Sequence, residues 1–467
     1  MKMKKNNKTD ISRRDFLKTA GTVSAAAAAA MYGCNSKSDN TVSAEGGSIG
    51  EVPSDKMTYR INHNSGDKVS LLGFGCMRFP LRTNEKGEEE IDQEAVNELI
   101  DYAIAHGVNY FDTAPVYVRG WSETAAGIAL KRHPREKFFI ATKLSNHRTE
   151  GYSFQDGVNM YHKSMRDLQV DYFDYYLLHN LGRSIDIFNA RFIDNGLLDF
   201  LLKEKEAGRI RNLGWSFHGN VETFDYIMAL DIKWDFCMIQ LNYQDWKHAD
   251  SEWNVNAEYL YEELVKHHIP AIIMEPLLGG RLARVNSQAF KLMKEIHPQD
   301  SAAKWAFRYA GTPENVLTVL SGMVYMEHLQ ENLKTYSPLI PLTEKEYDVL
   351  EKVTDILVNS DYIQCTECQY CMPCPYGIDI PGIFGHYNRI ISTDMRLKSS
   401  NDENYKKARK AFLVGYDRSV PKLRQANHCI GCNICNPHCP QSINIPEEMR
   451  KIDLYTEQLK QNTMPFN

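Results

Sequence analysis

Phe173-Asp174-Tyr175-Tyr176-Leu177-Leu178-His179 is a short apolar run of strand length that closes on a histidine. Three runs of the same kind precede it, at Leu71–Gly75, Val108–Asp112 and Phe138–Lys143. Four follow, at Ile210–Ser216, Met238–Asn242, Ala271–Glu275 and Val316–Ser321. Each gap between runs leaves room for a helix. Strands alternating with helices predict a parallel sheet, and eight such units predict an α/β fold of the (β/α)8 TIM-barrel type from Met57 to Leu342. A hairpin that starts at Tyr59–Ile61 and turns at Asn64-Ser65-Gly66-Asp67 is expected to cover the barrel bottom before the first strand.

The polar residues that end these strands fall in one place. Asp112 ends the second strand, Lys143 the third and His179 the fourth, and Tyr117 follows Asp112 on the next loop. In a barrel those ends make a single face, the one that carries chemistry. Taken singly, a strand-end aspartate is often a helix cap, a lysine is usually solvated and a histidine is often a satisfied core residue. Four such groups at neighbouring strand ends predict a reactive site.

The stretches around these residues resemble the aldo/keto reductase superfamily. They are Gly73-Phe74-Gly75-Cys76-Met77-Arg78, Phe111-Asp112-Thr113-Ala114-Pro115-Val116-Tyr117 with Gly120 and Ser122-Glu123, Ala141-Thr142-Lys143 and Asp174-Tyr175-Tyr176-Leu177-Leu178-His179. Gly208-Arg209-Ile210-Arg211-Asn212-Leu213-Gly214-Trp215-Ser216, Gln240-Leu241-Asn242 and Ser321-Gly322 with Asn332 continue the likeness across the whole barrel. The resemblance implies a catalytic tetrad of Asp112, Tyr117, Lys143 and His179. A hydride would pass between a nicotinamide and a carbonyl carbon. Tyr117 would supply the proton, its pKa lowered by Lys143, which Asp112 holds, while His179 orients the carbonyl. It also implies cofactor contacts from Met77, Ser216, Gln240, Met274, Leu277, Ser321 and Asn332. Two positions depart from the family pattern. Met274 stands where a tyrosine usually stacks on the nicotinamide, and His328 stands where an arginine would favour NADP. NADP, NAD and a flavin are all left open.

The cysteines carry a second message. Eight of the eleven lie in two tight groups, Cys365-x2-Cys368-x2-Cys371-x2-Cys374-Pro375 and Cys429-x2-Cys432-x2-Cys435-x3-Cys439-Pro440. Three thiolates at CxxCxxC spacing wrap one face of a 4Fe–4S cluster, and a fourth followed by proline reaches to the other cluster. On that logic one cluster takes Cys365, Cys368, Cys371 and Cys439, and the other takes Cys429, Cys432, Cys435 and Cys374. The first quartet is one residue short of the ferredoxin spacing. Four-cysteine zinc sites usually pair two separated CxxC halves instead. Helical pattern at Ile380–Ile391 and Tyr405–Leu413 resembles the all-helical two-cluster ferredoxins, so residues 343–467 read as a small, mainly helical 4Fe–4S domain. Cys76 and Cys237 sit on apolar strands and read as packing residues.

The N-terminal segment, residues 1–34, is an address. Ser12-Arg13-Arg14-Asp15-Phe16-Leu17-Lys18 after a lysine-rich start, and before the apolar stretch from Thr19 to Met31, resembles a twin-arginine export signal. Met31-Tyr32-Gly33-Cys34 resembles a lipoprotein cleavage box, with Cys34 either lipidated or incidental, and the Ser/Gly/Asp/Asn-rich residues 35–56 read as a flexible linker. The expected location is therefore periplasmic or lipid-anchored. Such export suits proteins that load their clusters in a reducing compartment first. A net charge of −6 with no basic block in the body argues against a nucleic-acid partner, and no long apolar run downstream suggests a membrane span. The composite expectation is an exported oxidoreductase acting on a small-molecule carbonyl or alcohol, with a separate redox partner for the clusters. The alternative is an electron-transfer or sensor module with a catalytically silent barrel.

Overall fold

Eight parallel strands close the barrel in the computed structural model, which describes residues 51–249 and 254–464. The signal segment, Cys34 and the linker as far as residue 50 lie outside the described residues. Twelve strands are present among the described residues, β1 Tyr59–Ile61, β2 Lys68–Ser70, β3 Leu72–Gly75, β4 Leu81–Thr83, β5 Glu89–Ile91, β6 Tyr110–Asp112, β7 Phe139–Leu144, β8 Phe173–Leu181, β9 Ile210–Phe217, β10 Phe236–Gln240, β11 Ala271–Met274 and β12 Val316–Ser321. The barrel runs β3-β6-β7-β8-β9-β10-β11-β12 and closes through the pairing of β12 with β3. β1 and β2 form the expected antiparallel hairpin. Its turn seals the barrel bottom: the Tyr175 hydroxyl and the Asn212 amide both donate to Asp67 Oδ2 at 2.9 Å.

The pleat explains where the functional side chains point. Tyr110, Ala141, Tyr175, Leu177, Phe236, Met238 and Ile272 form a buried cluster of their own inside the barrel, apart from the core between strands and helices. Burying a large apolar side chain contributes about 1.5–3 kcal/mol, so this layer is a solid plug. Side chains on one face of a strand recur every second residue. Two residues beyond Tyr110, Ala141, Leu177, Met238 and Ile272 lie Asp112, Lys143, His179, Gln240 and Met274. The chemistry-bearing residues are the top layer of the same inward-facing set.

Three features were not anticipated. The β4–β5 hairpin flanks the barrel, mostly solvent-exposed on both faces, so it lacks the apolar alternation that reveals a strand. The helix Glu344–Val358, opened by a Thr343/Glu346 capping box, buries Leu350, Val353 and Leu357 in the barrel's outer core. The barrel unit therefore runs about one helix beyond the boundary at Leu342. The described residues also form one compact unit, so the C-terminal segment is docked on the barrel.

The C-terminal segment is helical, as expected. Helices Ile380–Ser392, Tyr405–Ser419 and Ile445–Gln461 enclose a second core of Ile383, Phe384, Phe412, Tyr416, Met449 and Ile452. The helix expected over Tyr405–Leu413 continues to Ser419. No helix among the described residues is long and apolar enough to cross a membrane.

Candidate active site and cluster-binding segment

The four residues of the expected tetrad meet at the C-terminal ends of β6, β7 and β8. Lys143 is wholly buried, and its Nζ donates to Asp112 Oδ1 at 2.5 Å and to the carbonyl of Thr113 at 2.8 Å. Burial pushes the Asp112 carboxyl up and the Lys143 ammonium down, while their pairing opposes both shifts. Asp112 Oδ2 has no protein partner. The Lys143 Nζ lies 4.9 Å from the centroid of the Tyr117 ring, over its face. Tyr117 follows Pro115 on a loop where Val118 and Arg119 take left-handed backbone, φ 47° and 57°. A β-branched residue there is strained, a common feature of loops that must aim a side chain. Arg119 pairs with Glu89 of the β4–β5 hairpin, which braces the loop.

His179 is buried and edge-on to Tyr117, ring centroids 5.8 Å apart. Its Nδ1 shares a 2.6 Å hydrogen bond with Ser145 Oγ. Burial, then the neighbouring His147, hold its pKa well below the ordinary imidazole range, so it is neutral. Tyr117 departs from expectation. Its pKa is raised rather than lowered, first by burial and then by Tyr370, Asp112 and Glu275. Asp112 engages the charge of Lys143, which lies over the ring face.

Tyr370 is the residue that sequence reasoning missed. It lies between Cys368 and Cys371 of the first quartet, yet its hydroxyl lies 3.5 Å from His179 Nε2 and is near enough to Tyr117 to raise that phenol's pKa. The imidazole of His147 packs against both His179 and Tyr370, at 4.6 and 6.2 Å. The spacing of a cysteine motif identifies its ligands but says nothing of what the intervening residues touch. The same segment makes further contacts with the barrel rim. The Arg78 guanidinium donates to the Thr366 carbonyl at 2.5 Å. Gln364 Oε1 accepts from Arg281 at 2.5 Å and from Gln244 at 3.1 Å. The Asn254 amide donates to the Pro440 carbonyl at 2.9 Å. Gln244 and Asn254, on the loop after β10, therefore hold the cluster segment.

The cysteines of the two quartets lie near one another. The thiol of Cys365 feels Cys368 and Cys439, and that of Cys371 feels Cys368, Cys365, Cys439 and Cys435. Cys435 feels Cys429, Cys432 and Cys374. Burial leads the causes that push Cys365 up to about 12 and Cys368 and Cys435 up to about 11. Among the described residues no three of His, Cys, Asp or Glu converge as they would on one bare metal ion. Cys365, Cys371, Cys374, Cys429 and Cys435 pack on the C-terminal core, and the backbone N–H of Glu367 points at Cys365 Sγ at 3.4 Å. Apolar surroundings and backbone donors to sulfur suit iron–sulfur clusters.

The residues assigned to a nicotinamide are placed differently from what that ligand needs. Gln240 donates to Asp245 Oδ2 at 2.5 Å and accepts from Gln441 at 3.0 Å, so both ends of its amide are engaged. Ser216 Oγ accepts the backbone N–H of Asn180 at 2.8 Å. Asn332 donates to Ser321 Oγ at 3.0 Å. Met77 sits on a one-turn helix, Cys76–Arg78, beside the Arg78–Thr366 contact, while Met274 and Leu277 are half-buried. Beside Gln240 a cavity of about 10 Å³, lined by Phe217, His218, Asp245 and Asn254, has room for one water. As folded, the polar groups of Gln240, Ser216 and Asn332 each meet a partner within this chain.

A profile of the aldo/keto reductase family matches residues 71–355, more than half of the chain. The chain belongs to the aldo/keto reductase family. That membership makes it an oxidoreductase. A profile of the 4Fe–4S dicluster domain matches residues 364–445, and one of the twin-arginine translocation signal matches residues 10–30. The chain is 34% identical over 158 residues to a Glycine max protein named Probable aldo-keto reductase 1, covering 32% of this chain and 42% of that protein. It is 24% identical over 320 residues to the Bacillus subtilis protein named Uncharacterized oxidoreductase YqkF, covering 61% of this chain and 93% of the relative. Among solved structures it matches the holo form of a Bacillus halodurans aldo-keto reductase, with 26% identity and a TM-score of 0.50 over 64% of this chain and 96% of that one. The described structure beyond these barrels is the cluster-bearing segment, which no match to a lone aldo/keto reductase anticipates.

Proposed function

We propose that this protein is an exported oxidoreductase that interconverts a small carbonyl compound and its alcohol at Asp112, Tyr117, Lys143 and His179. Cys365, Cys368, Cys371 and Cys439, and Cys429, Cys432, Cys435 and Cys374, would hold two 4Fe–4S clusters that would supply one-electron chemistry. The observation that carries the reading is the contact of Tyr370, flanked by cluster cysteines, with Tyr117 and His179. The twin-arginine signal supports export; a periplasmic or lipid-anchored final location through Cys34 follows from the same segment.

Reduction of a carbonyl to an alcohol adds two electrons and two protons, one proton going to oxygen from Tyr117 and one to carbon from solvent. The clusters, when bound, supply electrons one at a time from an external one-electron donor. The chain's own residues handle the oxygen. Neutral His179 can donate a hydrogen bond from Nε2 to the carbonyl oxygen without carrying charge. Tyr117, its pKa raised by burial, keeps its proton until negative charge develops on that oxygen. As Tyr117 ionises, the ammonium of Lys143 above its ring offsets the new charge. The substrate oxygen takes the position that the Tyr370 hydroxyl holds between Tyr117 and His179, so binding displaces Tyr370.

The burial of the tetrad beneath Tyr370 also favours a second reading, an electron-transfer module whose barrel no longer turns over. Tyr117→Phe separates the two. With oxygen excluded and a reduced viologen dye as donor, a panel of aldehydes, ketones and keto acids is screened for dye oxidation. The enzyme reading predicts a substrate-dependent rate that falls by about 10²–10⁴ in the variant while the cluster absorbance is unchanged. Equal rates in the two proteins would leave only the electron-transfer module.

A further inference from the structure

Gln240, at the place the family resemblance gives to a nicotinamide, is hydrogen-bonded to Gln441 of the cluster-bearing segment. We infer that the segment Gln364–Cys371, with Gln441, is built to occupy that place, so that the barrel takes no nicotinamide dinucleotide and Tyr370 stands as a positioning residue on the tetrad. The inference rests on the oxidoreductase reading above and deepens it, by naming which reductant the site excludes.

Three independent features of the barrel fit it to the segment. The first is the loop after β11. Gly279 has φ +67°, and a Cβ there would lie 2.3 Å from the Thr366 carbonyl oxygen and 2.5 Å from its Cα. Only a residue without a side chain lets the backbone of the cluster segment pass this close to the loop. The second is the pairing of polar groups. Arg78, Gln244 and Arg281 all point their polar ends at Thr366 or Gln364. Gln441 donates to the carbonyl end of the Gln240 amide, and the amino end donates to Asp245, so both ends of that amide are held by this chain. A nucleotide could enter only by breaking these bonds, and its own polar groups would not meet the same partners in the same directions. The third is the tetrad itself, where the Tyr370 hydroxyl lies 3.5 Å from His179 Nε2 and near enough to Tyr117 to raise that phenol's pKa. Met274 agrees with this arrangement, since no aromatic face is needed where no nicotinamide stacks.

The test uses the full, cluster-loaded protein purified without oxygen. It is titrated with NADPH and separately with NADH, followed by calorimetry and by nicotinamide fluorescence, and a second sample is denatured and its released small molecules identified by mass spectrometry. The expected result is no saturable binding of either nucleotide and none released. One-to-one saturable binding, or released NAD or NADP in stoichiometric amount, overturns the inference and leaves the oxidoreductase reading standing. Absence of nucleotide together with no Tyr117-dependent turnover on the viologen donor supports the inference while removing the oxidoreductase reading, so the two failures are distinguishable. As a positive arm, Gln441→Ala combined with Tyr370→Ala, which removes the side chains that meet the Gln240 amide and the tetrad, is expected to show saturable binding of either nucleotide where the parent shows none. No gain in the opened variant would overturn the claim that the segment is what excludes the nucleotide.

Discussion

Tyr117 and Lys143 show how a residue's role depends on where its neighbours sit. The sequence places a cation beside a tyrosine and so suggests a lowered phenol pKa. The folded geometry gives the cation to Asp112 and leaves the phenol buried, which raises it. The residues were legible because they end inward-facing strands; the direction of the shift was not, because it depends on distances across three strands. Replacing Asp112 with Asn strands the buried ammonium of Lys143, and removing one partner of a buried ion pair costs about 3–5 kcal/mol. Thermal unfolding of Asp112→Asn is therefore expected well below the parent, with the cluster absorbance retained at low temperature. Tyr370→Phe removes the hydroxyl that competes with substrate oxygen and one of the causes that raises Tyr117. The expected outcome is a KM lowered several-fold, in line with a hydrogen bond of about 1 kcal/mol, and a pH profile whose upper limb moves to lower pH. An unchanged profile would place Tyr370 outside the tetrad's hydrogen bonding. Nothing in a CxxC spacing announces that an intervening tyrosine reaches another domain's active site, so this residue was visible only in the fold.

At the scale of elements, the eight barrel strands and two of the three C-terminal helices were legible, because period-two and helical patterning survive wherever one face is buried. The β4–β5 hairpin was not, because neither of its faces is apolar, and the Glu344–Val358 helix was assigned to the wrong side of the boundary because its apolar face does not name its partner. The proposed crossing of the cysteine quartets makes a sharp prediction. Cys439 acts on Cys365, and Cys374 acts on Cys435. Cys439→Ala should disrupt the cluster bound by Cys365, Cys368 and Cys371 and spare the other, and Cys374→Ala should do the reverse. Electron paramagnetic resonance of the reduced proteins, combined with a second substitution at Cys368 or Cys432, tells which signal is lost; loss of the cluster local in sequence would contradict the crossing. Gly279→Ala tests the close approach of loop and segment. The collision with Thr366 and the positive φ together predict a loss of about 1–3 kcal/mol and a cluster segment more open to proteolysis.

For the whole molecule, acid should drain stability as buried histidines are forced to charge, in the cluster-bearing half as in the barrel. His386 is packed between Phe412 and Tyr416, and burial lowers its pKa to about 4 from the 6.5 of an unfolded chain. Between those values the unfolded chain binds a proton that the folded one refuses, so stability is full above pH 6.5 and drains away toward pH 4. Glu346 adds a lower window. Burial would raise it, but Arg308, Thr343 and His297 outweigh burial and bring it to about 2, so its contribution is full above pH 4.5 and is lost on the way down to pH 2. Urea midpoints measured from pH 7 to pH 4 should fall for the parent and fall less steeply for His386→Leu; parallel slopes would mean that another group carries the loss. The family, the clusters and the export signal were all legible from motifs, whereas the mutual placement of clusters and tetrad required the fold. The most direct test of that placement follows the clusters themselves. The protein is reduced without oxygen, freed of excess reductant and mixed with each carbonyl of the panel in the absence of any nucleotide, and the visible absorbance of the clusters is followed. The account predicts reoxidation by at least one carbonyl in the parent and none in Tyr117→Phe. Clusters that stay reduced with every carbonyl until NADP or NAD is added would contradict it.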